Sequence, residues 1–285
     1  MAQIDPQAIK DTARTQWGRA AEGWRKHDDR FRQVTAPVTD RLLELANVGP
    51  AKRVLDIACG TGEPALPAAR IVGPQGFVLA TDIAPEMLEV AREKAAAEGV
   101  ANVEFRLVDG EELDVEAESF DAVTCRCGIM FMPAPLKCLR QAWAALRPGG
   151  RVAVAVWGSA ERSPFHTVPR DALRPFLDSP PPDPTLPGGV LSFSDERKLT
   201  STLSEAGFVD VRVEGLELLM SEFESGEEYW RFQGEMSGPL KDQVSKLSPE
   251  ARQAAALAIA TAAGGGDPKG KVRLNGYMLL ASGTK

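Results

Sequence analysis

The sequence predicts an α/β fold with a doubly wound sheet, mostly parallel and with an antiparallel C-terminal strand. Between Arg53 and Trp157, short apolar runs alternate with stretches of helical periodicity. A glycine-rich turn, 60–62, joins the first run to the first helix, and the later helices have the length of right-handed crossovers between parallel strands. The five strands predicted here are 54–58, 76–82, 103–108, 121–124 and 151–157.

The sequence on either side of this region predicts further elements. Trp17 and Trp24 are spaced so that both lie on one face of an N-terminal helix, which either packs on the core or closes over a ligand as a lid. A helix is expected at 195–206, helical sequence at 227–263, and strands at 209–213 and 271–280. The predicted organisation is an N-terminal helical lid (1–44), a core (45–157), an inserted cap that includes one core helix and strand (158–270), and a C-terminal core strand (271–285).

The composition argues against several classes of protein. The 285 residues include 33 Lys and Arg against 40 Asp and Glu, and a net charge of −7 is unsuited to binding nucleic acid as a main task. Four cysteines and two histidines lack the spacing of a zinc site or a disulfide framework, so no metal is expected. The longest apolar run, 254–260, is far shorter than the roughly 20 residues of a membrane span, and no signal segment is evident. A cytoplasmic location is therefore expected.

The turn after the first strand carries the most informative motif. Gly60, Gly62 and Ala65 have the G-x-G-x-x-A spacing of a dinucleotide fingerprint, in which the backbone approaches a ligand closely. Asp56 precedes the first glycine by four residues, at the end of the strand. A carboxylate there suits a ligand with a positive charge and would repel a pyrophosphate at the helix N-terminus.

Two more acids end the next two strands. Asp82 lies 20 residues after Gly62, where a carboxylate can accept hydrogen bonds from both ribose hydroxyls. Asp109, followed by Gly110, lies 27 residues after Asp82. Ligands of open parallel sheets bind at the carboxyl ends of the strands, so the three acids would face one crevice. The ligand that they describe has a ribose, a base with a donor edge and a positive group, which are the features of S-adenosylmethionine.

At these residues the sequence resembles the class I S-adenosylmethionine-dependent methyltransferases. The motifs that carry the resemblance occur in the family's order at 54–62, 80–88, 109–110, 119–124 and 146–152. They cover about residues 45–157 and are most similar to the small-molecule branch typified by the ubiquinone/menaquinone-biosynthesis C-methyltransferases and their natural-product relatives. The resemblance implies a Rossmann-like cofactor-binding core and an enzyme that converts S-adenosylmethionine to S-adenosylhomocysteine.

The resemblance also implies roles for individual residues. Those assigned to the methionine part of the cofactor follow the first strand: Asp56, Ala58, Gly60 and Gly62. Those assigned to the nucleoside follow the next two strands: Asp82 for the ribose, Ile83 and Met87 for the face of the adenine, and Asp109 with Gly110 for the adenine amine. Cys125 and Arg126, at the end of the fourth strand, would line the methionine end and the approach to the substrate. A salt-bridged surface position is the alternative for Arg126.

An apolar pocket for the methyl acceptor is predicted beside this crevice. It is expected to form from the Trp17/Trp24 segment, residues 130–132 after the fourth strand and the insert 160–260. The individual residues expected to line it are Trp17, Trp24, Met130, Phe131 and His166. Methyl transfer from a sulfonium is an in-line displacement, which depends on alignment in a dry site. A base is needed only for an acceptor that arrives protonated. His166 is the catalytic candidate because histidine titrates near neutrality, with a purely structural role as the alternative.

The predicted reaction is methyl transfer to oxygen or carbon of a small aromatic, quinone-like or polyketide-like metabolite. N-methylation of a small amine is the first alternative. An NAD(P)-binding oxidoreductase is the alternative from another class, but it would have to accommodate Asp56, and neither Tyr229 nor Tyr277 has a lysine four residues later. The expected partner is a small-molecule methyl acceptor, without nucleic acid or a membrane span. The expected assembly is a monomer or a homodimer.

Overall fold

The computed structural model describes residues 5–178 and 183–285, whose strands form a seven-stranded sheet. The strands are β1 (Arg53–Ile57), β2 (Phe77–Asp82), β3 (Val103–Leu107), β4 (Phe120–Arg126), β5 (Leu146–Trp157), β6 (Val209–Phe223) and β7 (Val272–Thr284). Their order across the sheet is β3-β2-β1-β4-β5-β7-β6. The first five pair in parallel, whereas β7 is antiparallel to both of its neighbours. The predicted fold class is confirmed.

Helices cover the sheet and extend beyond it. They are α1 (Pro6–Leu45), α2 (Ala65–Val72), α3 (Pro85–Ala97), α4 (Pro135–Ala145), α5 (Pro164–Leu173), α6 (Glu196–Glu205), α7 (Gly226–Met236), α8 (Gly238–Ser245) and α9 (Pro249–Ala263). Within the described parts of the chain, no helix combines the length and the apolar character needed to cross a bilayer.

The inner parallel strands β1, β2, β4 and β5 are largely buried on both faces, whereas the edge strand β3 is not. Val54 and Leu55 are successive residues of β1, so they point to opposite faces, and neither is exposed to solvent. A strand covered on both sides requires a continuous apolar run rather than an alternating one, which is the pattern that the sequence shows. Because β1 to β4 run parallel to one another, their carboxyl ends lie at one edge of the sheet.

β6 and β7 are longer than the sequence predicts. The predicted strands 209–213 and 271–280 are observed as Val209–Phe223 and Val272–Thr284, and they pair along most of their length. β6 is an edge strand, and polar residues such as Glu217 are exposed along it. Its second half therefore lacks a continuous apolar run, and pairing with β7 extends it beyond the local apolar signal.

α1 is a 40-residue helix with two kinds of environment. Its C-terminal half belongs to the main core, where Val38 and Leu42 are fully buried. Its N-terminal half packs Ala20 and Ala21 against Met87 of α3 in a separate, smaller apolar cluster. The helix also contacts α7, α8 and β5, so it joins the sheet to the helices of the later sequence.

Candidate active site

A cavity of about 720 Å³ lies at the carboxyl ends of the parallel strands. Its volume is typical of small-molecule sites, which occupy roughly 300–1,000 Å³. The residues at or just after the ends of β1 to β4 that reach its wall include Ala58, Gly60, Asp82, Ile83, Asp109, Gly110 and Arg126. Residues of α1, α5 and α7 line the opposite side. The cavity is therefore where open α/β sheets bind ligands.

The turn between β1 and α2 presents bare backbone to this cavity. Gly60 and Gly62 have φ angles of +54° and +103°, in the left-handed region that glycine adopts without strain. A Cβ atom at Gly60 would meet nothing within 4 Å, so open space lies beside the turn. Ala58, with φ of +57°, also adopts the left-handed backbone conformation although it has a side chain. The strand thus turns sharply as it ends, and its backbone stays accessible to a ligand.

Asp82 links the ends of β1 and β2. Its Oδ2 accepts a hydrogen bond from the Gly60 amide at 2.8 Å, and its Oδ1 accepts one from the Ala84 amide at 2.9 Å. Burial raises the pKa of this carboxyl group, while the backbone donors lower it. A carboxylate offers about four acceptor positions, so each oxygen retains capacity for a ligand hydroxyl. Ile83 and Met87, which follow it, also line the cavity.

Asp56 lies behind the cavity wall and is completely buried. Its Oδ1 accepts a hydrogen bond from the Thr124 hydroxyl at 2.8 Å, and its Oδ2 has no hydrogen-bond partner among the described residues. Burial raises the pKa of the carboxyl group to about 7, against the opposing effects of Thr124 and Arg126. A buried acid with one unpaired oxygen would be stabilised in its charged form by a cation brought nearby.

Asp109 is held by a residue that sequence reasoning missed. Lys10 of α1 places its Nζ 2.6 Å from Asp109 Oδ2 and 2.8 Å from Glu111 Oε2. Gly110 is closely packed against the Met132 side chain, since a Cβ atom at Gly110 would be 2.6 Å from Met132 Cε. No motif surrounds Lys10, and only the length of α1 brings it to the end of β3.

The end of β4 differs from the prediction at one cysteine. Cys125 is buried in the core and does not line the cavity, whereas Cys127 does. Cys127 has a φ of +58°, so the alternation of the strand is broken directly after Arg126. Arg126 is not a surface residue: it lines the cavity and donates hydrogen bonds to the hydroxyls of Thr35 and Thr39 on α1 at 2.9 and 3.1 Å.

The opposite side of the cavity is mainly aromatic and apolar. The residues expected there from the sequence, Trp17, Trp24, Met130, Phe131 and His166, all reach the cavity wall. The ring of Trp17 lies edge-on to that of Phe131 at 5.2 Å, and the Trp24 indole donates a hydrogen bond to the Met236 carbonyl at 3.1 Å. Further wall residues that the sequence did not identify are Trp157, Phe165, Phe232, Gln233 and Met236.

His166 is neutral in this environment. Its ring lies 4.2 Å from that of Trp157 and 4.9 Å from that of Phe165, and its Nε2 has no hydrogen-bond partner in the described part of the chain. Burial lowers its pKa to about 3. The expectation that this histidine titrates near neutrality is therefore not met, because the aromatic surroundings disfavour the imidazolium. The described residues also contain no group of three or more His, Cys, Asp or Glu side chains placed to hold a metal ion.

Comparison with known proteins identifies the family. The family model described as "Methyltransferase domain" matches residues 49–172. The chain is 36% identical over 163 residues to aklanonic acid methyltransferase DauC of Streptomyces sp. (strain C5), covering 56% of this chain and 68% of that one. The chain belongs to the class I S-adenosylmethionine-dependent methyltransferases.

The chain also matches other relatives over only part of their length. It is 36% identical over 169 residues to an arsenite methyltransferase of Halobacterium salinarum, and 42% identical over 113 residues to the ubiquinone/menaquinone biosynthesis C-methyltransferase UbiE of Ectopseudomonas mendocina. These matches cover 59% and 39% of this chain. They span 40% and 44% of the two relatives, so less than half of each is represented.

Solved structures share the fold of the methyltransferase at low identity. The YcgJ protein of Bacillus subtilis superposes with a TM-score of 0.56 at 20% identity, over 87% of this chain and 97% of that one. Phosphoethanolamine N-methyltransferase 2 of Haemonchus contortus, solved in complex with S-adenosyl-L-methionine, gives a TM-score of 0.54 at 18% identity, over 90% and 56% of the two chains. At these identities the likeness concerns the Rossmann-like fold alone.

The strand-end residues of the methyltransferase fit S-adenosylmethionine, the cofactor of its family. The bare backbone at Gly60 leaves room for a ligand at the cavity wall. Asp82 retains acceptor capacity for ribose hydroxyls, and the unpaired oxygen of Asp56 suits a positively charged group. The Asp56 carboxyl group close behind this turn would repel a pyrophosphate, which distinguishes the crevice from a dinucleotide site.

Proposed function

We propose that the protein transfers the methyl group of S-adenosylmethionine to an oxygen or carbon atom of a small aromatic, quinone-like or polyketide-like metabolite. The observation that carries this proposal is the two-sided cavity. Acidic strand ends and a bare glycine turn form one side, and Trp157, Phe165 and Phe232 belong to the other. A planar apolar acceptor fits the second side, directly beside the cofactor on the first.

The proposed cofactor contacts follow the strand ends. The methionine part is assigned to the β1 turn, with Asp56, Ala58, Gly60 and Gly62. The nucleoside is assigned to Asp82 for the ribose, Ile83 and Met87 for the adenine face, and Asp109 with Gly110 for the adenine amine. At the end of β4, Arg126 keeps the role that the resemblance implies, and Cys127 replaces Cys125 because only Cys127 reaches the wall.

S-adenosylmethionine supplies an activated methyl group when bound, and the protein supplies alignment and exclusion of water. Arg126, tied to Thr35 and Thr39, joins the β4 end to α1 and so holds the helix over the reacting groups. His166 is the proposed catalytic residue at the acceptor side. Since its pKa lies at about 3, it stays unprotonated at physiological pH and can accept a hydrogen bond from an acceptor hydroxyl.

The names of two relatives favour this class of acceptor over an amine. DauC is named for aklanonic acid, and UbiE for ubiquinone and menaquinone biosynthesis. A net charge of −7 further favours a small molecule over nucleic acid as substrate. A cytoplasmic location and a monomeric or homodimeric state complete the proposal.

A mass-spectrometric screen tests this function directly. The purified protein is incubated with S-adenosylmethionine and a panel of phenols, hydroxyquinones and primary amines, and each product is examined for the gain of one methyl group. We expect methylated phenols or quinones together with S-adenosylhomocysteine. Methylation confined to the amines would contradict the proposal, and fragmentation of a methylated quinone distinguishes transfer to oxygen from transfer to carbon.

A further inference from the structure

Gln233 is a polar residue in the apolar wall of the acceptor side. It belongs to α7 and only 4% of its surface is exposed, yet it lines the cavity next to Phe232. A buried amide in such surroundings costs free energy unless its hydrogen-bonding groups are used. The sequence gives no signal for this residue, because α7 lies in the later part of the chain, where the family motifs are absent.

The orientation of the Gln233 amide is fixed by its neighbours. Its Nε2 donates to the Tyr229 hydroxyl at 2.9 Å and to the Phe165 carbonyl at 3.4 Å. The Tyr229 hydroxyl, itself on a fully buried ring, donates to the same carbonyl at 3.2 Å. A carbonyl oxygen can only accept, so the amide nitrogen must face it. Oε1 then points elsewhere, and among the described residues no donor reaches it.

The two arginines on this part of the cavity wall each have an acidic neighbour. Arg126 donates to the neutral hydroxyls of Thr35 and Thr39 and lies near enough to Asp56 to lower the pKa of its carboxyl group, and Arg170 of α5 lies 3.1 Å from the Asp171 carboxylate. His166, which follows Phe165, is neutral for the reason given above. Gln233 Oε1 is thus an unused and uncharged hydrogen-bond acceptor on this wall, in addition to the unpaired Nε2 of His166. It complements a neutral donor, such as a ring hydroxyl, and it repels an anion.

We propose that Gln233 Oε1 accepts a hydrogen bond from a ring hydroxyl of the methyl acceptor and so selects hydroxylated aromatic substrates over hydroxyl-free and anionic ones. The inference rests on the proposed function, because it assumes that the acceptor binds in this cavity. Gln233 is a specificity-determining residue in this account. An amide oxygen does not take up a proton, so the residue orients the substrate and leaves the proton of the hydroxyl in place.

Calorimetry with three naphthalene probes tests the inference without requiring turnover. The protein is saturated with S-adenosylhomocysteine and titrated with naphthalene, 2-naphthol and 2-naphthoate. We expect 2-naphthol to bind about tenfold more tightly than naphthalene, the effect of one hydrogen bond, and 2-naphthoate to bind more weakly than 2-naphthol. In Gln233→Leu the affinities of naphthalene and 2-naphthol should become equal, while the affinity for naphthalene itself is retained.

Gln243→Leu is the matched control, because it makes the same substitution at another glutamine of the cavity wall. Gln243 of α8 also lines the cavity, and Gln243→Leu should leave the preference for 2-naphthol intact. Tyr229→Phe keeps Gln233 but removes one of the two acceptors that hold the Gln233 amide in place. It should therefore partially lower the preference for 2-naphthol over naphthalene. This second variant keeps the test decisive if Gln233→Leu does not fold.

Three results would overturn the inference. They are a preference for 2-naphthol that survives in Gln233→Leu, an equal loss of affinity for both neutral probes, and tighter binding of 2-naphthoate than of 2-naphthol by the unaltered protein. The failure of the proposed function gives a different signature. In that case the protein methylates none of the phenols and quinones, whatever the probes show about the hydroxyl preference.

Discussion

The carboxyl group of Asp56 has a pKa that a bound cation should change. Burial raises this pKa to about 7, Thr124 and Arg126 lower it, and Glu63 and Asp82 raise it. Below pH 7 the group is mostly protonated in the free protein. An ammonium group of the ligand favours the carboxylate, so binding at low pH requires the release of a proton.

The affinity for S-adenosylhomocysteine should therefore depend on pH. A folded-state pKa near 7 that falls on binding makes the affinity about tenfold weaker at pH 6 than at pH 8. Asp56→Asn should remove this difference, since it has no proton to release. Isothermal titration calorimetry at the two pH values measures it. Equal affinities of the unaltered protein at pH 6 and pH 8 would contradict the account of Asp56.

Sequence reasoning reached the residues that occupy the ends of successive strands. Asp56, Asp82 and Asp109 are recognisable because each directly follows an apolar run, and parallel strands bring their carboxyl ends together. Sequence reasoning did not identify Lys10 or Gln233. They lie on helices far from these strands in sequence, and contacts across such distances depend on how the helices pack, which no local pattern encodes.

At the scale of elements, α1 is the part of the cavity wall whose role can be tested most simply. The Trp24 ring lies 4.6 Å from that of Phe31 and 6.4 Å from that of Trp17, and its indole is bonded to the Met236 carbonyl. Trp24 thus joins the N-terminal half of α1 to α7 across the cavity. If α1 is a lid, loss of this ring opens the acceptor side and leaves the strand-end contacts in place.

Trp24→Ala should raise the KM for a methyl acceptor by about threefold to tenfold, the usual range for loss of an aromatic contact, with little change in affinity for S-adenosylhomocysteine. Steady-state kinetics with an acceptor from the screen, together with calorimetry, separates the two effects. Trp143→Ala on α4, outside the cavity, is the control. An unchanged KM and kcat in Trp24→Ala would show that α1 merely packs on the core.

The strands differ in how much of their extent the sequence reveals. β1 and β2 are buried on both faces, so their apolar runs mark them within a residue or two. The part of β6 beyond residue 213 is not predicted from the sequence, because the exposed edge of this strand allows polar residues between apolar ones. α1 is recognisable near its tryptophans, but its continuation to Leu45 is masked by polar sequence and by Pro37.

At the scale of the whole molecule, the sheet order explains how one cavity can hold the proposed cofactor and acceptor together. β1 lies between β2 and β4, so the turn with Gly60, the Asp82 carboxylate and the Arg126 side chain come from adjacent strand ends. The sequence beyond β5 returns to the sheet as β6 and β7 and places α5 and α7 opposite them. The proposed cofactor side is thus formed by the strand ends that carry the family's motifs, and the proposed acceptor side mainly by α1 and by helices that follow β5.

The central claim is that the acidic strand ends bind S-adenosylmethionine and its product. The most direct measurement is calorimetric titration of the protein and of Asp82→Ala with S-adenosylhomocysteine, with NAD⁺ as the comparison ligand. We expect one-site binding of S-adenosylhomocysteine, at least about tenfold weaker binding in Asp82→Ala with an unchanged circular dichroism spectrum, and no heat from NAD⁺. Binding of NAD⁺ in place of S-adenosylhomocysteine, or full affinity in Asp82→Ala, would contradict the account.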